Sequence, residues 1–284
     1  MKPFLNVLLF CFFSATACAT QVYDTLYINK DTATIGLMNF QVCAFNDSSQ
    51  FKPLNHAFVL NETDTLQLHI VNNDTLEHSF TIDGHIETSN LIPALGTNDF
   101  EVVLASDNAY RYYSNLSNGD LLGASGVIFK GYDTHPKFFW NMFEQASALS
   151  FDYADLSVNA TPINYVPDVF TINFRVHPGL ETDTLAKVIG NVGDTLLIAT
   201  VNAGQMEHTL HFHGYHVEIL NASHNTKMIG WSKDTYPIEL NEVIVVRLVP
   251  HQEGAYPVHE HNLLNVTTNG VYPGGMLNLI EIQP

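Results

Sequence analysis

Along most of the chain apolar and polar residues alternate over short stretches, as in Thr65-Leu66-Gln67-Leu68-His69-Ile70-Val71, or gather in β-branched segments such as Val243-Ile244-Val245-Val246-Arg247-Leu248. Asn, Asp, Gly and Pro separate these stretches. Successive side chains of a strand point to opposite faces, so a period of two predicts β-strands joined by turns. The pattern occurs twice. Asp64-Thr65-Leu66, Val71-Asn72, Glu77-His78 and Gly84 recur as Asp194-Thr195-Leu196, Val201-Asn202, Glu207-His208 and Gly214, each 130 positions later (208 − 78 = 130). Ala109-Tyr110 recurs as Ala255-Tyr256, 146 positions later (255 − 109 = 146), so the second copy carries about 16 extra residues, placed in a loop region at 221–237. Two copies of one antiparallel unit predict an all-β chain of two tandem Greek-key β-sandwiches, at 20–133 and 167–284. The intervening 134–166, with Phe138-Phe139-Trp140-Asn141-Met142-Phe143, reads as a linker with a short helix whose aromatic residues pack between the sandwiches.

The N-terminus changes where this protein is expected to work. Met1-Lys2, the apolar run at 5–13 and Ala15-Thr16-Ala17-Cys18-Ala19 have the basic, apolar and small-residue zones of a secretory signal, so 1–19 are predicted to be removed and the protein exported, periplasmic or secreted. Ala17-Cys18 is also a candidate lipoprotein junction that would leave Cys18 as the lipidated first residue. No later run approaches the roughly 20 apolar residues of a transmembrane helix. With Cys11 and Cys18 in the signal, Cys43 stands alone, which excludes an intramolecular disulfide and leaves stability to the core. Eleven basic against 29 acidic residues, a net charge of −18, exclude nucleic acid and anionic membranes as partners and favour a cation or a basic partner.

The candidate chemistry is concentrated in two segments. Glu207-His208-Thr209-Leu210-His211-Phe212-His213-Gly214-Tyr215-His216 and His259-Glu260-His261 hold six of the chain's 14 histidines. On strands, His211 and His213 share one face about 7 Å apart, and so do His259 and His261, so two such strands side by side make an imidazole cage. Imidazole suits copper, zinc, iron and nickel. Glu260, between two ligand candidates, points to the opposite face, towards His208, where a charged hydrogen bond between them is expected. His216 is a candidate for supporting the ligands or a surface residue. His78 repeats His208 without the His-x-His pairs and is expected to hydrogen-bond in the core. His135, His177, His224 and His251, in loops beside Pro or Asn, are expected to be exposed. No Ser-His-Asp order, phosphate-cradling glycine loop or Cys-x-x-Cys pattern is present.

A β-sandwich carrying these segments resembles the cupredoxin fold, and His208-x-x-His211-x-His213-Gly214 is similar to the histidine motif of multicopper oxidases. The stretch from Gly254 through His259-Glu260-His261 to Gly275-Met276-Leu277 resembles both the His-Cys-His segment of those oxidases and the C-terminal segment of copper nitrite reductases. The resemblance implies that His208 stands where a type 1 copper ligand does. It implies that His211, His213, His259 and His261 stand where the type 2/type 3 cluster is bound. Glu260 and Ser114 occupy the positions of the type 1 cysteine, and Thr81 and Asp83 those of His211 and His213, so the expected site is one histidine-only metal centre in the second sandwich, with three to five ligands from His208, His211, His213, His259 and His261 and a carboxylate beside it. Copper is the implied metal, with zinc the physical alternative. Three functions stay open: an exported copper oxidoreductase working with a small-molecule electron donor, a non-catalytic protein binding or storing the copper ion, and a structural pair of sandwiches. The two-domain copper enzymes it resembles form rings of three, which implies a homotrimer with the histidine face against the Thr81, Asp83 and His85 face of a neighbour.

Overall fold

Strand register sorts the alternating stretches into two sandwiches. The computed structural model describes residues 20–85, 90–132 and 135–284, so the signal expected at 1–19, with Cys18, lies outside the described residues. In the first sandwich, a sheet ordered Met38–Asn46, Gln21–Ile35, Thr65–Asn72, Thr97–Val102 packs against one ordered Ala57–Leu60, Ser125–Lys130, Asn108–Tyr113, Thr81–Ile82. In the second, six strands ordered Val169–Ile172, Lys137–Gln145, Leu196–Asn202, Val243–Leu248, Val217–Ala222, Ser232–Lys233 pack against five ordered Val188–Asn191, Leu277–Gln283, Gly254–Glu260, His208–Phe212, Thr235–Ile238. The repeat survives in the register. Ile28 stands opposite Asn72 as Met142 stands opposite Asn202, and Thr81 pairs with Tyr113 as His211 pairs with His259.

Much of the segment expected as a linker is instead a strand. Lys137–Gln145 runs parallel to Leu196–Asn202 inside the six-stranded sheet. Its alternation is masked because both faces are buried: Phe138, Trp140 and Met142 enter the core of the second sandwich, while Phe139 and Phe143 enter a cluster shared by the two sandwiches. A strand covered on both sides reads as a continuous apolar run. Val243–Leu248 follows the same rule, with Ile244 and Val246 in one cluster and Val243 and Val245 in the other. The shared cluster sets Phe40, Val42, Val127 and Phe129 of the first sandwich against Phe139, Phe143, Leu197 and Val245 of the second, and the Phe129 and Phe139 rings meet edge to face at 6.0 Å. Burial of each such side chain stabilises by about 1.5–3 kcal/mol, so this contact fixes one sandwich on the other. The helix Ser147–Ala154 then returns to the first sandwich, where Ser150 Oγ accepts the Gln41 amide at 2.9 Å.

The extra residues of the second copy are also more ordered than a loop. They include the 3-10 turn Thr226–Met228 and the strand Ser232–Lys233, and they place Met228 in the core. Among the described residues no helix is long and apolar enough to cross a membrane.

Trp140 is 1% exposed and its Nε1 donates to the Ala186 carbonyl at 2.7 Å. Trp140→Ala is expected to lower the unfolding free energy by about 3–5 kcal/mol in urea titrations. A loss below about 1 kcal/mol would show that this strand is not part of the core.

Candidate metal centre

The strand His208–Phe212 lies between Thr235–Ile238 and Gly254–Glu260. Alternation sends His208, Leu210 and Phe212 into the sandwich together with Val258 and Glu260 from the neighbouring strand. The other parity faces outward and sets His211 directly opposite His259. His213 and His261 continue these faces just past the strand ends. The His211 ring centre lies 4.7 Å from that of His213, 5.6 Å from His259 and 5.5 Å from His261, and His213 and His259 are 5.1 Å apart. His216 is exposed and stands outside this group.

Backbone and hydroxyl partners orient the rings. His259 Nδ1 is 2.8 Å from the Glu260 carbonyl, which can only accept, so in the neutral ring Nδ1 carries the proton and Nε2 the lone pair. His211 Nδ1 bonds the Thr235 hydroxyl at 2.7 Å, which leaves Nε2 outside that bond. His213 Nε2 and His259 Nε2 are 3.0 Å apart, a separation that two nitrogens each about 2.0 Å from one metal ion also adopt. Burial, then the charges of His211 and His259, push the His213 pKa down and favour the neutral, metal-binding form. Gly214 turns the chain directly after His213 at φ +75°, and a Cβ there would come within 2.5 Å of the Tyr256 ring. Among the described residues no three His, Cys, Asp or Glu side chains already converge on one point; the arrangement is a close His213/His259 pair flanked by His211 and His261.

Behind the pair of strands, the inward residues do not make the expected bond. Glu260 Oε1 accepts the Thr209 amide at 3.0 Å and Oε2 the Asn262 amide at 2.6 Å, leaving Oε1 3.9 Å from His208 Nδ1, too far for a hydrogen bond. The carboxylate that bonds His208 is Glu144, whose Oε2 lies 2.8 Å from His208 Nε2. Both side chains are wholly buried, and His208 Nδ1 has no partner. Burial raises the Glu260 pKa against the lowering pull of the Thr209 amide and His208. Glu144 belongs to the strand expected as linker, so nothing near the histidine motif in sequence pointed to it. The repeat could have. Offset by 114 (142 − 28 = 114), it stands where the first sandwich has Lys30.

The first sandwich answers with the reverse charge. Lys30 Nζ and His78 Nε2 bond Asp74 Oδ2 at 2.7 and 3.0 Å, and His78 Nδ1 bonds the Ser114 hydroxyl at 3.1 Å. Position 204, the repeat of Asp74, is glycine, and a Cβ there would come within 1.8 Å of Glu144 Oε2. One sandwich thus supplies its buried acid from position 74 and the other from position 144. Burial works to raise the Asp74 pKa, but the hydrogen bonds and charges of His78 and Lys30 outweigh it and hold the carboxyl well below its usual range. On the outer face, Thr81, Asp83, Tyr113 and Asn115 replace the four clustered histidines, and Asp83 is held by Arg111 Nη1 at 3.4 Å.

Neither sandwich fits a type 1 copper. The only described cysteine, Cys43, is buried in the core of the first sandwich with its thiol pKa pushed far up by burial, and Glu260 and Ser114 hold the thiolate positions. The outward histidines offer nitrogen donors alone, the donor type that suits a borderline metal ion.

A family model described as multicopper oxidase matches residues 158–273, the stretch that carries all four clustered histidines. The multicopper oxidase mgLAC shares the fold at a TM-score of 0.76 and 19% identity, over 93% of this chain and 87% of that one. A blue copper oxidase from Nitrosomonas europaea superposes at 0.76 with 19% identity, covering 93% and 86%. A copper nitrite reductase from the same organism superposes at 0.69 with 15% identity, covering 93% and 94%. No curated protein matches the chain in sequence. The protein is built of two tandem cupredoxin-like β-sandwiches and carries a multicopper oxidase match in its second half, without the type 1 cysteine.

Asp74→Asn breaks a buried pair and is expected to cost about 3 kcal/mol or more at neutral pH. Because the folded pKa is depressed, that stabilisation is complete above the unfolded carboxyl value of about 3.9 and disappears as pH falls below it. The difference between wild type and variant in urea titrations should shrink steadily as pH falls from about 5 to about 2. A difference that stays constant across this range would show that the charge of Asp74 does not stabilise the fold.

Proposed function

We propose that this is an exported copper-binding protein whose metal is held by His211, His213, His259 and His261, and that it exchanges electrons directly with a small donor. The observation that carries the reading is the set of four imidazoles on two paired strands, with two Nε2 atoms 3.0 Å apart and the Nδ1 atoms of His211 and His259 engaged elsewhere. Bound copper would supply a one-electron couple. The chain's own part is to aim the imidazoles outward, through Thr235 and the Glu260 carbonyl, while the buried Glu144, His208 and Glu260 keep the strands in register beneath them. His211 and His259 are only half-buried, and His213 and His261 are exposed, so a small donor reaches the site without a lid. Export is supported by the signal-like sequence at 1–19.

Metal analysis and absorption spectra of copper-loaded protein test this directly. About one copper per chain is expected, without the strong band near about 600 nm that thiolate coordination produces. His211→Ala and His261→Ala should each remove most of the affinity, and His78→Ala should leave it unchanged. Equal loss in the His78 variant would overturn the assignment. Preferential retention of zinc from a metal mixture would transfer the site to a redox-silent metal, and oxidation of ascorbate no faster than free copper would support storage over catalysis.

The exposed histidine face also suits closure by a neighbouring subunit in a three-fold ring, with the metal favouring the assembled form by mass action. Light scattering of metal-free and copper-loaded protein should show a shift towards three times the chain mass with copper. A single-chain mass in both samples would rule the ring out.

A further inference from the structure

From the cavity between the two sandwiches, we infer a binding site for a small organic carboxylate with an apolar body, separate from the histidine cluster. The cavity, about 540 Å³, is walled by Thr34, Ile35 and Gly36 at the tip of the first hairpin, by 52–54, by 174–179 and by Thr268 of the second sandwich. That size lies within the range of small-molecule sites, roughly 300–1,000 Å³. In a chain with 11 basic residues and a net charge of −18, the lining holds Lys52, Arg175 and His177 and no carboxylate.

The acids nearest these cations lie outside the lining and engage them weakly. Asp183 approaches only Arg175 Nε, at 3.6 Å, and among the described contacts no hydrogen bond uses the Arg175 Nη groups. Asp47 meets Lys52 at 3.3 Å with both side chains more than half exposed, where an ion pair adds little. His177 was expected to be exposed, yet its side chain is 15% exposed and its buried Nδ1 has no hydrogen bond, with Glu181 3.6 Å away. The His177 amide donates to the Gly275 carbonyl at 3.1 Å, which ties this segment to the loop before the last strand.

The remaining wall is apolar: Ile35 and Phe174 are buried, and Pro53, Leu54 and Val176 are half-buried. Gly36, at φ +61°, lets the hairpin close onto the second sandwich, since a Cβ there would lie 2.4 Å from the Thr268 methyl. Guanidinium Nη groups without a hydrogen bond, in a lining that also holds an ammonium and an imidazole whose Nδ1 makes no hydrogen bond, recognise a carboxylate, and the apolar wall takes the rest of the ligand.

Calorimetric titration of the full chain with 2-naphthoate, and in parallel with the neutral 2-naphthalenemethanol, tests the site. Saturable one-to-one binding of the carboxylate is expected at a Kd of about 1 mM or tighter, with the alcohol weaker by roughly tenfold. Arg175→Gln and Lys52→Gln should each weaken the carboxylate by several-fold to roughly tenfold and leave the alcohol unchanged. His211→Ala should leave both ligands unaffected. No saturable binding of naphthoate up to about 10 mM, equal affinity for the alcohol, or full affinity in the Arg175→Gln/Lys52→Gln double variant overturns the proposal. Thermal unfolding of the variants checks that the exposed substitutions leave the fold intact.

Discussion

The pairing of His208–Phe212 with Gly254–Glu260 is the constraint on which the candidate centre depends. Opposite parities of the same two strands carry opposite chemistry: imidazoles outward, and a buried histidine, a buried carboxylate and apolar side chains inward. A slip of one residue would move every ligand candidate into the core and bring Leu210 and Phe212 to the surface. The inward set therefore does more than fill space. Glu260 bonds the Thr209 amide on the next strand and the Asn262 amide on its own, so the residue at the thiolate position ties the two histidine segments together.

The two sandwiches satisfy one topological requirement with inverted charges. In the first, a lysine on the parallel neighbour strand meets an aspartate in the following turn; in the second, a glutamate on that strand meets a histidine, and the turn position becomes glycine to make room. In both, the histidine that begins the repeated motif is buried and bonded to a carboxylate, and Ser114 or Glu260 stands where a type 1 copper would need a soft thiolate. Removal of one member of such a set leaves an unpaired buried charge, which is why the partners at positions 30 and 74, and at 144 and 204, read as matched pairs.

The arrangement of the sandwiches follows from the six-stranded sheet being covered on both faces. Phe139, Phe143, Leu197 and Val245 are buried because the first sandwich lies over them, and the same docking brings the first hairpin, the 52–54 loop and the 174–179 segment around one cavity. The histidine cluster sits on the other sheet of the second sandwich, so the metal-binding face and the shared core belong to different layers.

Local periodicity and the internal repeat made the all-β class, the two copies and the outward parity of His211 and His259 legible from sequence, because strand alternation is a property of neighbouring residues. The same alternation put Glu260 on the inward face. What sequence could not supply were contacts between segments far apart in the chain. Lys137–Gln145 reads as an aromatic linker until the sheet on one side and the first sandwich on the other account for both of its faces. Glu144 becomes the partner of His208 only because parallel pairing carries it 64 residues along the chain to the histidine. Arg175 and His177 look like loop residues until docking places them in one cavity lining with Lys52. The sequence by itself determined which side chains share a strand face; only the tertiary structure decided what each face meets, because burial and pairing across distant segments are set by how the sheets pack.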